Sequence, residues 1–230
     1  MSNSDERLLD RPIWSALTTS QKYLAEGGPQ ARRYPVDMTP FADMTDMSAT
    51  SFAALGDLLS GSQVAALFTP EPVEVPEGFK VVLAETGEQM IGSPADSSLR
   101  DAEIVTLGAA DVPAMMALTA LTKPGPFAAR THELGTFLGI RVGGELVAMT
   151  GERMKPGRFT EMTAVCVHPD HRGRGYAQAL LAAVARQIEA RGEIPFLHVF
   201  SSNASAIALY QRQGMTIRRR LHVTVLMKQG

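Results

Sequence analysis

A chain of 230 residues with 45% hydrophobic and 20% charged residues has enough apolar material for one large domain or two small ones. Its formal net charge of -2 argues against a general polyanion binder, because nucleic-acid binding needs a dominant basic face. The single cysteine, Cys166, excludes an intramolecular disulfide and favours a reducing compartment. The N-terminus lacks the apolar run of a signal peptide, and no apolar stretch approaches the roughly 18 residues that span a bilayer. We therefore expect a soluble, cytoplasmic protein with no membrane or nucleic-acid partner.

The first part of the chain, to about Pro94, has an irregular pattern. Apolar spacing predicts four elements there: helices over Ile13–Leu24 and Ser48–Leu59, and strands at Val64–Phe68 and Phe79–Leu83. The polar connector GSPADSSLRDAE then precedes Ile104 and is the best candidate for a boundary. We therefore divide the chain into an N-terminal α/β region, residues 1–97, with no assigned role, and a second domain, residues 98–230.

The second part has a clearer rhythm, with strands and helices in alternation. Its predicted elements are a strand at Glu103–Leu107, a helix capped by Asp111, strands at Thr136–Val142 and Glu145–Gly151 around a Gly143-Gly144 turn, a strand at Met162–Val167, a helix at Tyr176–Arg191, a strand at Phe196–Phe200, a helix at Asn203–Gln213, and closing strands near Met215–Ile217 and His222–Met227. This order implies an α/β fold of the α+β kind, with a mixed sheet that carries helices on its faces.

One turn carries the clearest chemical signal. In VCVHPDHRGRGYAQALL, an apolar strand is followed by a glycine-rich turn and a long helix that begins near Tyr176. Gly173 and Gly175 let the backbone turn sharply and approach a ligand. The first N–H groups of the helix lack internal partners and lie at the positive end of its dipole, so the turn suits a pyrophosphate. Arg172 and Arg174 add positive charge, although a plain strand-to-helix connection is the alternative interpretation.

Other phosphate and metal motifs fail. The dinucleotide fingerprint G-x-G-x-x-G/A, counted from Gly173, meets Gln178 at its sixth position. No G-x-x-x-x-G-K-[ST] loop occurs, which disfavours a nucleoside-triphosphate hydrolase. His168 and His171 have no third ligand at a recognisable spacing, so we predict no metal.

Two motifs together resemble a known family. R-G-R-G-Y-A, at Arg172–Ala177, is similar to the R/Q-x-x-G-x-G/A signature of the GCN5-related N-acetyltransferase (GNAT) superfamily. SSNASAIALYQRQGM, further along the chain, resembles its second motif, N-x-x-A-x-x-L-Y-x-x-x-G-F/M. The resemblance covers roughly Glu103–Lys228 and implies a GNAT-type acyl-CoA N-acyltransferase fold. The closing strands look most like the glycine N-acyltransferase-like branch, in which the N-terminal region would be a reduced copy of a similar fold.

The resemblance implies that an amine attacks the thioester of acetyl-CoA directly, without a covalent enzyme intermediate. It puts the pyrophosphate on the glycine turn and the pantetheine arm along the edge at Val165–Val167, where a backbone N–H would polarise the thioester oxygen. The implied acetyl-CoA contacts are Val165, Cys166, Val167, Arg172, Gly173, Arg174, Gly175, Tyr176, Ala177, Gln178 and Asn203.

Two catalytic residues follow from the same resemblance. Glu161 is the implied base that takes the amine proton, and Tyr210 is the implied acid that protonates the departing thiolate. Strand alternation puts Glu161 on the face of Thr163 and Val165 unless a bulge intervenes. The alternatives are a solvated carboxylate at a strand end for Glu161 and a core aromatic for Tyr210.

The acceptor is the least determined part of the prediction, because fold and cofactor do not specify it. The loop Lys123–Gly135 lies where this fold commonly shapes the acceptor site, with a plain surface loop as the alternative. The run Arg218–Arg220 is expected at a turn or a solvated strand end. The leading hypothesis is an N-acetyltransferase acting on a primary amine of a small molecule, amino acid or peptide. A non-catalytic CoA-binding regulatory module is the alternative, and a homodimer stays open.

Overall fold

The computed structural model describes residues 5–95 and 103–229. Within these ranges the α-helices are α1 (Pro12–Thr18), α2 (Ala49–Leu58), α3 (Val112–Thr122), α4 (Tyr176–Ala190) and α5 (Ala204–Arg212). The strands are β1 (Glu26–Gly27), β2 (Ala31–Arg33), β3 (Ala42–Met44), β4 (Val64–Thr69), β5 (Phe79–Ile91), β6 (Ile104–Leu107), β7 (Phe137–Val142), β8 (Glu145–Glu152), β9 (Phe159–Val167), β10 (Ile194–Phe200) and β11 (Thr216–Lys228). None of these helices has the length and apolar character that crossing a membrane requires.

Eight strands form one mixed sheet in the order β4-β11-β5-β10-β9-β8-β7-β6, and β1, β2 and β3 form a small separate sheet. Every neighbouring pair in the large sheet is antiparallel except β9 and β10, which are parallel. Parallel neighbours need a crossover connection, and α4 supplies it. The predicted mixed α+β fold with helices on the sheet is therefore confirmed.

The large sheet is covered on both faces, and strand alternation explains how. Leu197 packs beneath α4 with Leu180 and Val184, all at most 1% exposed. Its neighbour Phe196 points to the opposite face, where it packs with Ile13 of α1 and with other apolar side chains of the N-terminal region. Two hydrophobic layers therefore sandwich the middle of the sheet.

Strands from both parts of the chain enter the same sheet. β5 precedes the predicted boundary, yet it lies between β11 and β10, which both follow it. Met90 of β5 is fully buried in the layer beneath α4. The boundary predicted between residues 97 and 98 itself lies outside the described residues and stays a prediction.

Three predicted element lengths are wrong, each because a distant partner or a local turn decides the outcome. The first helix ends at Thr18 instead of Leu24, since Thr19 leaves helical geometry at φ -120° and ψ -107°. β5 continues to Ile91 because β11 pairs with it along its whole length, although its polar second half lacks an apolar pattern. The two predicted closing strands are one, β11, interrupted by a bulge between Ile217 and Arg219.

Two predicted roles also need correction. Arg218–Arg220 lie near the start of β11, not at a turn. The side chain of Arg220 is 63% exposed, as a solvated strand end requires, whereas Arg218 is bonded to Gln89 and Asp10. Asp111 precedes α3 but does not cap it, because its carboxylate accepts from Gly108 N at 2.8 Å and pairs with Arg141 instead.

Candidate active site

β9 and β10 separate after the first three residues of each strand. Phe159–Glu161 pairs with Ile194–Phe196, whereas β9 runs on to Val167 and β10 to Phe200 with no further pairing between them. A bulge in β9 accompanies the separation: Ala164 has φ +52°, and the register against β8 shifts there. Bulges bend a strand and disrupt its ladder locally, so a cleft opens between the two strands.

Two cavities lie along this cleft. We call the first the turn cavity; it has a volume of about 550 Å³ and extends from the end of β9 across the glycine turn to α5. It is lined by all eleven of the predicted acetyl-CoA contacts: Val165, Cys166, Val167, Arg172, Gly173, Arg174, Gly175, Tyr176, Ala177, Gln178 and Asn203. The fold thus brings these residues to one surface, and their contact with a ligand stays a prediction.

The glycine turn presents backbone amides to this cavity. Gly173 and Gly175 have φ of +76° and +79°, values that favour glycine. Gly175 is the residue that precedes α4, and it has no side chain to cap the first amides of the helix. Those amides are therefore available to an anion at the positive end of α4, beside the exposed Arg172 and Arg174.

The second cavity, which we call the inner cavity, has a volume of about 200 Å³. Its lining combines Arg153 of the loop after β8, His198 of β10, and the aromatic rings of Phe41 and Phe68 from the N-terminal region. Val165, Asn203, Ala206 and Tyr210 line both cavities and mark their junction.

Tyr210 stands at that junction. The residue is 7% exposed, and burial raises the pKa of its hydroxyl to about 12. The hydroxyl makes no hydrogen bond with any part of the chain that the structure describes. α5 positions the ring, and Asn203 caps that helix, with its Oδ1 accepting from Ala206 N at 3.1 Å. Tyr210 therefore carries a proton, and an unused donor, where the two cavities meet.

Glu161 lies beneath the inner cavity and is fully buried. Its Oε2 accepts from Arg153 Nε at 2.8 Å, and its Oε1 accepts from Arg153 Nη2 and His198 Nδ1, both at 2.8 Å. Burial alone would raise the pKa of Glu161, but the charge of Arg153 and the hydrogen bonds from Arg153 and His198 outweigh it and hold this pKa at about 2. The alternative of a solvated strand-end carboxylate is thus wrong.

Glu161 is among the lining residues of neither cavity. The bulge at Ala164 breaks the simple alternation, so Glu161 does not share the cavity position of Val165. As a base it would receive a proton only by way of water or of the groups bonded to it. Its role as the base stays a prediction.

A polar network behind His198 determines which nitrogen of its imidazole ring carries the proton. Gln89 Nε2 donates to Leu9 O at 2.8 Å, and its Oε1 accepts from Arg218 Nη1 at 2.9 Å, which sets the orientation of the amide. The remaining Nε2 proton of Gln89 faces His198 Nε2 at 3.0 Å. Nε2 of His198 is therefore the acceptor, and Nδ1 carries the proton that is donated to Glu161.

Sequence reasoning missed Arg153, His198 and Gln89. Arg153 is 8 residues from Glu161 and His198 is 37, so only strand pairing brings them together.

The acceptor loop was anticipated in part: Lys123–Pro126 lines the inner cavity, whereas Arg130 and Glu133 bond to each other at the surface. Cys166 lines the turn cavity, and burial raises the pKa of its thiol to about 11, which leaves it protonated.

Comparison with known proteins agrees with this architecture. Residues 137–223 match the model of the family described as FR47-like protein. A GNAT-family protein of Novosphingobium aromaticivorans with a solved structure is 41% identical, with a TM-score of 0.89 over 97% of this chain and 99% of that chain. GCN5-related N-acetyltransferases of Kribbella flavida and Sphaerobacter thermophilus share the fold, at 15% and 14% identity and TM-scores of 0.67 and 0.57. The alignment with the Kribbella flavida protein covers 100% of this chain and 97% of that chain, and the alignment with the Sphaerobacter thermophilus protein covers 97% of this chain and 92% of that chain.

No sequence among the curated proteins matches the chain significantly. The fold is that of the acyl-CoA N-acyltransferases. The chain belongs to the GNAT superfamily, as its two motifs predicted. Membership supports acyl transfer from an acyl-CoA, and a closer relation to the glycine N-acyltransferase-like branch stays a prediction.

Acid is expected to destabilise the fold through Glu161. Its pKa is depressed from 4.5 to about 2. The ionised carboxylate therefore contributes fully to the free energy of unfolding above about pH 4.5, and this contribution is lost as the pH falls towards 2. The loss is at most about 3 kcal/mol. Urea unfolding along a pH series, relative to each protein's stability at neutral pH, should show a shallower acid decline for Glu161→Gln than for the wild type.

The matched control is Glu145→Gln, which removes an exposed carboxylate at the start of β8. Its acid decline should equal that of the wild type. An equally steep decline in Glu161→Gln would mean that Arg153 and His198 do not hold Glu161 ionised.

Proposed function

We propose that this protein is an N-acetyltransferase that moves an acetyl group from acetyl-CoA directly to a primary amine of a small molecule, amino acid or peptide. The observation that carries the proposal is the meeting of two cavities at the separation of β9 and β10. One cavity contains the glycine turn at the start of α4, and the other is a smaller cavity that adjoins it. Tyr210 lines both of them.

In this proposal acetyl-CoA occupies the turn cavity. Its pyrophosphate accepts from the amides at the start of α4, aided by Arg172 and Arg174. Its pantetheine arm lies along Val165–Val167, whose edge towards β10 has no strand partner among the described residues. The thioester then reaches the junction with the inner cavity, where the acceptor amine binds.

The transfer itself needs no covalent enzyme intermediate. The amine nitrogen attacks the thioester carbon to form the C–N bond, the C–S bond then breaks, and CoA leaves as a thiolate that takes the phenolic proton of Tyr210. The dry surroundings that raise the pKa of Tyr210 also make a buried thiolate a stronger base than it is in water. Proton transfer from a phenol is then less unfavourable than the ordinary pKa values suggest.

The amine must also lose a proton. We propose that this proton leaves through water in the inner cavity, with Glu161 as the carboxylate behind Arg153 and His198 that stabilises its departure. The absence of a carboxylate from the described lining of the inner cavity is the observation that favours the alternative, a non-catalytic CoA-binding regulatory module. Release of free thiol from acetyl-CoA with a panel of amines separates the two.

Acetyl-CoA should raise the Tm of the protein, because a ligand that binds only the native state stabilises it. Gly173→Asp should abolish that shift, since it puts a carboxylate where the pyrophosphate would lie. Gly192→Asp is the matched control at the other end of α4: both glycines have φ +76° and open space around an added Cβ. Both variants should lose similar stability to backbone strain, on the order of 1 kcal/mol, and only Gly173→Asp should lose the response to acetyl-CoA. An unchanged response in Gly173→Asp would refute binding at the turn.

Tyr210→Phe should lower kcat by about 100-fold and leave the affinity for acetyl-CoA nearly unchanged. The ring and its packing remain, and only the proton donor is removed. Turnover by thiol release and affinity by calorimetry would be compared with Tyr23→Phe, which removes a hydroxyl from a side chain whose residue is 78% exposed. Normal turnover in Tyr210→Phe would make Tyr210 a core aromatic only.

The pH–rate profile tests the part played by Glu161. Because its pKa of about 2 keeps it ionised, Glu161 should add no inflection to the wild-type profile between about pH 5 and about pH 9. Its help in removing the amine proton should make the wild-type kcat rise less steeply with pH than the free-amine fraction does. Glu161→Gln should lower kcat at neutral pH and recover partly at higher pH, where more of the amine is free. Measuring kcat at saturating acceptor separates proton transfer from weaker binding. A profile parallel to that of the wild type would show that the amine proton leaves by another group.

A further inference from the structure

We propose that the acceptor carries a carboxylate, and that Arg153 binds it in the inner cavity; this rests on the proposed transfer to an amine. The side chain of Arg153 is only 9% exposed, yet it belongs to the lining of the inner cavity. Its Nε and Nη2 donate to Glu161, and its Nη1 makes no hydrogen bond within residues 5–95 and 103–229. A buried guanidinium therefore has one edge committed to the protein and one edge unused.

The unused edge is held in a fixed direction. Glu161 accepts two hydrogen bonds of 2.8 Å from the Nε–Nη2 edge. The centroid of the Phe41 ring lies 4.4 Å from Cζ of Arg153. Nη1, together with the second proton of Nη2, forms the remaining edge of the planar group. A guanidinium edge presents two parallel N–H groups, which match the two oxygens of a carboxylate. Because the protein has already ordered this side chain, binding an anion there costs little further entropy.

The charges of the lining favour an anion. Among its described members, Arg153 and Lys123 are cationic, and there is no aspartate or glutamate. Glu161 balances Arg153, so the exposed Lys123 leaves the cavity with a net positive charge. One guanidinium edge and one lysine ammonium suit a monoanion such as a carboxylate. A phosphate dianion would need more donors at one point than the lining supplies.

The rest of the lining sets the size and character of the molecule. Phe68, Met162, Leu197 and Val223 supply apolar surface, and the volume is about 200 Å³. The amine must reach the junction at Tyr210 while the carboxylate reaches Arg153, so both groups belong to one small molecule. The structure thus points to a free amino acid with an apolar side chain as the class of acceptor.

Matched acceptors test this. Leucine and phenylalanine would be compared with leucinamide and phenylalaninamide, which keep the amine and the side chain but lose the negative charge. For the wild type, kcat/KM calculated per deprotonated amine should be about 10- to 100-fold higher for each acid than for its amide. This correction is needed because the amine of an amide is the weaker base and is free to a larger extent at the same pH. Because loss of Arg153 alone would leave Glu161 buried and unpaired, the variant is Arg153→Met combined with Glu161→Leu, which replaces the pair by apolar groups of similar size. It should reduce the acid-to-amide ratio to about 1, whatever it does to the absolute rate.

A binding measurement keeps the test decisive if the variant is slow. Calorimetry with N-acetylleucine and N-acetylleucinamide, the two expected products, should show a preference for the acid in the wild type and none in the double variant. Equal use of acids and amides, or preferred use of phosphoethanolamine, would overturn the carboxylate site while leaving acyl transfer intact. Absence of thiol release with every amine would instead overturn the proposed function, and the product-binding preference would then decide the carboxylate site by itself.

Discussion

The separation of β9 from β10 is the constraint on which the rest of the site depends. A parallel pair that stayed in register would use the amides and carbonyls of Val165–Val167 within the sheet and would leave no room between the strands. That pairing ends at Glu161 and Phe196, just before the bulge at Ala164, and both cavities occupy the space between the strands. An unpaired strand edge inside a protein loses hydrogen bonds, so it is stable only where solvent or an extended ligand can replace them. The cleft therefore costs the sheet some of its hydrogen bonds, and the same unpaired edge can bind an extended molecule.

Where β9 and β10 still pair, a buried ion pair lies directly beneath the opening. Glu161 and Arg153 are both less than a tenth exposed, and desolvating two charges costs several kcal/mol, which good geometry only just offsets. Such a pair contributes little net stability, so its value lies in the direction that it gives to Arg153 and to His198. The network extends behind His198 through Gln89 and Arg218 to Asp10. Displacing one member would therefore disturb the orientation of the others.

The parts of the site that sequence reasoning anticipated are those encoded locally. The turn at Arg172–Ala177 and the start of α5 at Asn203 depend on neighbours within a few residues, so their composition is informative. The ion pair was not anticipated, because nothing near Glu161 in the chain distinguishes a carboxylate clamped by arginine from a solvated one. The same reason explains the error at Arg218–Arg220: a run of three arginines is typical of a solvated segment, and the partners of Arg218 lie 129 and 208 residues away.

The two cavities also differ in which parts of the chain build them. Among the residues that the structure describes, the lining of the turn cavity comes from the C-terminal part of the chain, from Thr122 onwards. The inner cavity also draws Phe41, Phe68 and Gly87 from the N-terminal region, which the fold packs onto the same sheet. A cofactor common to a superfamily can be held by a short motif, whereas a particular acceptor needs a wall built from distant segments. The N-terminal region would then act on the choice of acceptor, because it supplies the aromatic surface against which Arg153 is fixed.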